Sequence, residues 1–230
     1  MVSKFIRWRQ YTPLPGRFQY QILQKAGLPA GFTSASIRSV FRRLILLLPC
    51  LLLYSCRSVE DANQELLAAV KAVNEAEIRQ SLHSGASANA MQSGNETALG
   101  LLISQYKRSH EERRERITAA ATLLLEQRAD PNALHHGYTP LQIATGQGCE
   151  LIVSRLLVHG ADPNLETRAG LAPIWQAVFD NNHSIGLILL QAGANPNALN
   201  QNRETPLQYL RKRGYQQTRL MIHLRQYGGK

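Results

Sequence analysis

The sequence contains few of the residues that build enzyme and metal sites. Its three cysteines, Cys50, Cys56 and Cys149, form no CxxC pair, and so sparse and odd a set supports neither a disulfide framework nor a cysteine-ligated zinc site. It also lacks a glycine-rich phosphate loop, a GxSxG nucleophile motif and a pair of carboxylates on one predicted helix face. We therefore predict that the protein is not an enzyme, and expect no catalytic residues, metal, cofactor or small-molecule substrate.

Acidic residues are absent from the first 56 residues, and this absence accounts for most of the charge imbalance of the chain. The formal net charge is +10, yet residues 57–230 carry 18 basic against 16 acidic residues. The basic residues of the first segment are Lys4, Arg7, Arg9, Arg17, Lys25, Arg38, Arg42 and Arg43. A nucleic-acid-binding domain needs clustered Lys and Arg on its folded part. We therefore expect no nucleic-acid partner.

The apolar stretch over residues 44–54 is shorter than the roughly 20 residues that a membrane-spanning helix needs. It follows Arg42-Arg43 and has the length and flanks of the apolar core of a signal peptide. Leu53-Tyr54-Ser55-Cys56 resembles the lipobox of bacterial lipoproteins. The resemblance implies a leader over residues 1–55, lipidation of Cys56 and a short linker over residues 56–61. The alternative is an apolar helix of the fold that ends in a cysteine.

The lipobox resemblance also implies a location. It predicts a protein anchored by lipid in the bacterial cell envelope, and Arg57 in place of an aspartate favours the outer membrane, facing the periplasm. Residues 1–39 are long for the basic segment of a signal peptide and contain several Pro and Gly. Two explanations stay open: translation begins near Val40, or residues 1–39 are a genuine extension. We favour the first.

Two short motifs recur with a common period of 33 residues. The first appears as Thr139-Pro140-Leu141-Gln142, Ala172-Pro173-Ile174-Trp175 and Thr205-Pro206-Leu207-Gln208, with a weaker copy at Thr97-Ala98-Leu99-Gly100. The second appears in phase as Gly85-Ala86-Ser87-Ala88-Asn89, Arg128-Ala129-Asp130-Pro131-Asn132, Gly160-Ala161-Asp162-Pro163-Asn164 and Gly193-Ala194-Asn195-Pro196-Asn197. Threonine followed by proline favours a helix start, and glycine after an apolar run favours a helix end. The period predicts stacked helical units.

The two motifs resemble those of the ankyrin repeat. The resemblance implies an all-α solenoid of about five helix-turn-helix units with projecting loops, over residues 62–230. The units fall at about 62–94, 95–136, 137–169, 170–202 and 203–230. The apolar residues Leu156, Leu157, Leu189 and Leu190 end the outer helices and should pack between neighbouring units.

The second unit departs from the repeat pattern. It contains about ten extra residues around positions 106–116, rich in charged helix formers, and Arg128 replaces the glycine expected at the helix end. We expect the extra segment to be a solvated helical extension in which Glu111, Glu115 and Arg114 lie close together. A lid or a partner contact is the alternative. Arg128 should adopt a left-handed conformation.

The ankyrin resemblance implies that partners meet the loop tips and the exposed positions of the inner helices, on the concave face. These positions are His135, His136, Tyr138, Gly146, Gln147, Arg168, Ala169, Leu171, Phe179, Asp180, Gln201, Asn202, Glu204, Lys212 and Arg213. Tyr138 and Phe179 are of most interest, since aromatic side chains dominate binding hot spots. Phe179 could instead pack into the stack, and Trp175 is expected in the core. We expect His135 and His136 at an exposed tip without a metal, and Cys149 as an inert thiol.

The sequence as a whole predicts a membrane-tethered, periplasmic protein-binding module, with one further protein as its partner. An inhibitor or immunity-type protein for an enzyme that acts on the envelope is a concrete form of this function. Two alternatives stay open. One is a scaffold that protects the envelope under stress, and the other is a secreted effector that acts on host proteins.

Overall fold

The computed structural model describes residues 59–167 and 170–230, all within the unit Tyr54–Lys230. The lipidation candidate Cys56, the whole predicted leader, Arg168 and Ala169 lie outside the described residues. Among the described residues, no helix is long and apolar enough to cross a membrane.

The described chain forms ten helices and one very short hairpin. The helices are α1 (described over 59–72), α2 (Glu75–His83), α3 (Ala98–Ser104), α4 (Glu111–Glu126), α5 (Pro140–Gln147), α6 (Glu150–Val158), α7 (Pro173–Phe179), α8 (His183–Gln191), α9 (Pro206–Lys212) and α10 (Arg219–Gln226). Strands β1 (Met91–Gln92) and β2 (Glu96–Thr97) pair antiparallel, with Met91 opposite Thr97. The expected all-α ankyrin-type solenoid is confirmed.

The helices stack in two layers. The inner helices α3, α5, α7 and α9 contact one another in chain order, and so do the outer helices α2, α4, α6, α8 and α10. No single unit can bury its apolar face alone, so the core runs continuously between the layers. The predicted packing of the outer helices is confirmed at Leu156, Leu189 and Leu190, which are buried, whereas Leu157 is half-buried.

Helix starts and ends follow the local chemistry of the repeated motifs. Thr139 caps α5 in a full capping box with Gln142, and Pro140 occupies the first turn, where a missing N–H costs nothing. After α4 the chain turns at Arg128 with φ +63°, so the expected left-handed conformation is confirmed. Gly160 and Gly193 turn the chain in the same way, each with φ +90°.

An asparagine ladder joins each unit to the next. In each rung the Asn Oδ1 accepts a backbone N–H of the following unit at 2.7–2.9 Å, and the Nδ2 donates to a backbone carbonyl there at 2.9–3.3 Å. The rungs are Asn89, Asn132, Asn164 and Asn197. The last residue of the second repeated motif therefore connects units, a role beyond the turn chemistry that the sequence predicted.

The extra residues of the second unit lengthen its outer helix. Helix α4 has 16 residues, against nine for α6 and α8, and Arg114 pairs with Glu111 at 3.3 Å. The Arg114 guanidinium also lies 5.3 Å from the centre of the Tyr106 ring. The interpretation of this segment as a helical extension is confirmed, although its connection to α3 packs against the next unit. There the Lys107 backbone N–H donates to Gln147 Oε1 at 2.9 Å.

Candidate partner-binding face

The inner face comprises the exposed sides of α3, α5, α7 and α9 together with the hairpin tips that precede them. It is the surface that the ankyrin resemblance predicts to be concave. Helices α5, α7 and α9 each begin with proline, in the first motif of the repeat, so equivalent residues recur 33 positions apart along this face. The register therefore fixes which side chains of neighbouring units meet.

His135 is not an exposed contact residue, so the prediction of its exposure is wrong. Its side chain is only 6% exposed, and its ring lies directly over Gly100, where any Cβ would clash with His135 Cβ and Cγ. The glycine of the weak motif copy therefore makes room for a histidine of the next unit. Burial lowers the pKa of His135, His136 adds to this effect and Glu96 opposes it. Its Nδ1 has no hydrogen-bond partner among the described residues.

His136 and Tyr138 do lie at a hairpin tip, as expected. His135 and Tyr138 exchange backbone hydrogen bonds around His136-Gly137, two residues with positive φ, as a tight two-residue hairpin turn requires. The His136 ring Nε2 lies 3.1 Å from Glu96 Oε1 in the neighbouring hairpin. Tyr138 is 55% exposed, and no other described aromatic ring contacts it. Its phenol is therefore open to solvent.

Three aromatic rings meet where units four and five join, and we call them the aromatic patch: Trp175, Phe179 and Tyr209. The ring centres are 5.4–5.7 Å apart, with Tyr209 edge-on to both of the other rings. Trp175 is fully buried, as expected, and its Nε1 donates to the Ala198 carbonyl at 3.1 Å. Phe179 remains 43% exposed above it. The patch therefore has a fixed floor and an open aromatic surface.

Charged side chains border the aromatic patch. The Arg213 guanidinium lies 5.3 Å from the centre of the Tyr209 ring, within the range of a cation–π contact. Lys212 Nζ lies 2.7 Å from Glu204 Oε1, and this hydrogen bond lowers the pKa of Glu204. Beside Phe179, the Asp180 carboxylate accepts a hydrogen bond from Gln176 Nε2 at 3.0 Å. An apolar centre within a polar rim is the arrangement of a binding hot spot.

The remaining predicted contact residues are dispersed over the inner face. Leu171 is half-buried against the core, and Gln147 is half-buried because its side chain binds the connection before α4. Gly146 faces the Gln176 side chain of the next unit, and Gln201 and Asn202 lie exposed at the last hairpin tip. The structure therefore brings Phe179, Asp180, Lys212 and Arg213 to one end of the helix layer. Tyr138 precedes α5 and lies toward the opposite end of that layer, roughly 10 Å away along a helix axis.

Sequence reasoning missed Tyr209, which completes the aromatic patch. The period places Tyr209 in the same repeat position as Gln176, three residues before Phe179 and one unit later. Residues three or four apart share a helix face, so the side chain at that position comes close to the end of the preceding inner helix. The 33-residue register combined with this offset could have identified it.

A second concave feature lies between the outer helices. An open groove of about 660 Å³ separates α4 from α6, with Tyr106 and Cys149 among its lining residues. Cys149 is free and buried, and its Sγ lies 4.0 Å from Thr118 Oγ1. Burial raises the pKa of Tyr106 to about 12, and a hydrogen bond with Cys149 adds to this shift. Among the described residues, no group of His, Cys, Asp and Glu could hold a metal ion.

Comparisons with known proteins identify the repeat. Residues 136–168 match the family model for the ankyrin repeat. The chain is 47% identical over 58 residues to "Ankyrin repeat and MYND domain-containing protein 1" of Mus musculus, a match that covers 25% of this chain and 6% of the mouse protein. It is 38% identical over 74 residues to "Neurogenic locus notch homolog protein 1" of Danio rerio, covering 32% of this chain and 3% of that protein.

The matches span only a small part of these relatives, so they bear on the repeat and not on the activity of the whole proteins. Taken with the two-layer stack, they identify the described chain as an ankyrin-repeat solenoid, the fold of a protein–protein interaction module.

Proposed function

We propose that this protein binds one other protein through the inner face, with Phe179 and Tyr209 as the central contacts. The observation that carries the proposal is the open aromatic surface on a fixed floor. Trp175 is fully buried beneath Phe179, which keeps 43% of its surface exposed although an apolar neighbour is available to cover it. Rigid aromatic side chains lose little conformational entropy on binding, which is why they dominate hot spots.

The inner face is suited to binding because little of it has to reorganise. The asparagine ladder and the stacked inner helices hold neighbouring units together, so the contact residues are positioned before a partner arrives. Preorganisation of this kind lowers the entropic cost of association. We expect no catalytic activity from the same face.

The proposed site of action is the bacterial envelope, where the protein is lipid-anchored through Cys56 and faces the periplasm from the outer membrane. This part of the proposal rests on the Leu53-Tyr54-Ser55-Cys56 sequence and the preceding apolar stretch. In its concrete form, the protein occludes an enzyme that acts on the envelope. A rigid recognition face without chemistry of its own is what an inhibitor requires.

Capture of the partner from membranes tests the binding proposal. We expect Phe179→Ala to remove most of the captured partner, because truncating a hot-spot aromatic costs about 2 kcal/mol or more of binding free energy. The matched control is Val158→Ala, which truncates a side chain that is 79% exposed on outer helix α6. Equal capture by the two variants would refute the inner face as the binding surface.

Fatty-acid labelling tests the anchor separately. The natural chain should incorporate labelled fatty acid in its producing cell, and Cys56→Ala should abolish the incorporation, because the lipobox cysteine is the acyl acceptor. Cys149→Ala is the control, since that thiol is buried in the folded unit. Labelling that survives in Cys56→Ala would remove the lipoprotein proposal and leave the binding proposal intact.

A further inference from the structure

Basic residues of the folded chain are concentrated in its last unit. Residues 57–202 carry 11 basic and 15 acidic residues, whereas residues 203–230 carry seven basic residues and one acidic residue. The seven are Arg203, Arg211, Lys212, Arg213, Arg219, Arg225 and Lys230, and the single acid is Glu204. The near-neutral balance of residues 57–230 therefore hides a strongly positive fifth unit.

Three of these cations lie beside the aromatic patch, and we call them the basic rim: Arg211, Arg213 and Arg219. Arg211 and Arg213 lie at the end of α9 that follows Tyr209, and Arg219 begins α10 after a short connection. All three side chains are exposed. Arg213 reaches over the Tyr209 ring, so the aromatic patch and the basic rim are continuous.

The basic rim is not neutralised by the acids of its own chain. Glu204 is occupied by Lys212 at 2.7 Å and by Asn200 Nδ2 at 3.0 Å. No acid among the described residues forms a salt bridge with a rim arginine. Uncompensated charges around an apolar centre raise the local potential and attract groups of opposite sign during encounter.

We propose that the partner segment that docks on the aromatic patch is an acidic protein segment. An apolar side chain of the partner contacts Phe179 and Tyr209, and neighbouring carboxylates pair with the basic rim. Arginine suits this task because its planar fork binds a carboxylate with two parallel hydrogen bonds. The inference rests on the proposed function of the inner face and specifies the chemistry of its partner.

The acids near the patch favour a protein segment over a phosphate polymer. The Asp180 carboxylate follows Phe179 directly, and Glu204 lies within reach of Lys212. A nucleic-acid strand carries a charge at every nucleotide and would meet these carboxylates wherever it crossed the patch. A protein segment can place its carboxylates only where the rim arginines are.

Photo-crosslinking in the producing cell tests the inference on the full-length chain. A photoreactive amino acid at Gln216, an exposed residue between Arg213 and Arg219, should crosslink to a partner peptide rich in Asp and Glu. Arg211→Glu with Arg213→Glu should reduce the crosslink about tenfold or more, because each reversal replaces an attraction by a repulsion. Raising the salt concentration should weaken capture by the natural chain, since exposed pairs are screened.

The matched control is Arg225→Glu, which reverses a charge of the same unit in the last turn of α10 and should leave the crosslink unchanged. Melting temperatures of all variants should agree within a few degrees. Failure of the two levels is distinguishable. If Phe179→Ala has no effect, the proposed function is wrong. If Phe179→Ala removes the crosslink but the charge reversals do not, only the inference is overturned. A neutral or basic crosslinked peptide, a second copy of this chain, a lipid or a nucleic acid would also overturn it.

Discussion

The junction between units two and three and the junction between units three and four place very different groups at one repeat position. In unit three this position holds Gln142, whose Nε2 donates to the Leu165 and Leu171 carbonyls of the next unit at 3.0 and 2.8 Å. In unit two it holds Gly100, and the buried His135 ring of the next unit fills the space with its Nδ1 unpaired among the described residues. One junction is satisfied by hydrogen bonds, whereas the other buries a polar atom without one.

A third solution stands at the same position in unit four. Trp175 there is fully buried and donates to Ala198 of the next unit, while it supports the exposed ring of Phe179. In a solenoid, stability is close to a sum of unit and junction contributions. The comparison therefore teaches that junctions with one backbone geometry differ in stability and in sensitivity to pH.

The largest effect should come from Trp175→Ala. Emptying a buried tryptophan site typically costs about 3–5 kcal/mol of the free energy of unfolding, and this variant also loses the Ala198 hydrogen bond. Urea denaturation followed by circular dichroism measures the change. A loss below about 1 kcal/mol would mean that Trp175 is not the support of this junction.

A smaller loss is expected for Gln142→Ala, because it leaves two buried carbonyls without their donor. Unsatisfied buried groups cost about 1–3 kcal/mol. Gln208→Ala is the matched control, since Gln208 occupies the same repeat position, is exposed and closes the Thr205 capping box. Equal losses in the two variants would show that capping, and not the junction, explains the role of Gln142.

Gly100→Ala should destabilise the junction between units two and three by overpacking. The added Cβ would clash with His135 Cβ and Cγ, and such overpacking typically costs about 1–3 kcal/mol. Because the clash needs both residues, the free energies of Gly100→Ala and His135→Ala should not be additive, and the double variant should recover part of the loss. Strict additivity in a double-mutant cycle would contradict the contact.

The smallest effect is a pH dependence at the same junction. Burial lowers the folded-state pKa of His135, so the unfolded chain binds the proton more readily. The stability due to neutral His135 is full above the usual histidine pKa of about 6.5 and is lost as the pH falls below it toward the folded-state pKa.

Free energies of unfolding at pH 7.5 and 5 test this expectation, on the order of 1 kcal/mol of change. His135→Leu should lose less stability than the natural chain over this interval. His159→Gln, which changes an exposed histidine, should behave as the natural chain does. An identical pH dependence of His135→Leu and the natural chain would contradict the role of His135.

The sequence predicted the parts of this structure that depend on short motifs. Threonine–proline starts, glycine ends and the left-handed Arg128 follow from local backbone chemistry, and the period fixed the stacking. The burial of His135 could not be predicted in this way, because it depends on a glycine 35 residues earlier in the preceding unit. The aromatic patch likewise joins side chains 30 residues apart, Phe179 and Tyr209.

The affinity of the purified partner for Phe179→Ala is the most direct test of the inner face as a binding surface. We predict a dissociation constant raised about thirtyfold or more, the equivalent of roughly 2 kcal/mol, with a melting temperature close to that of the natural chain. Phe179 is 43% exposed, so its truncation should remove a binding contact more than a core contact. An unchanged dissociation constant, in a variant that is still folded, would contradict the account.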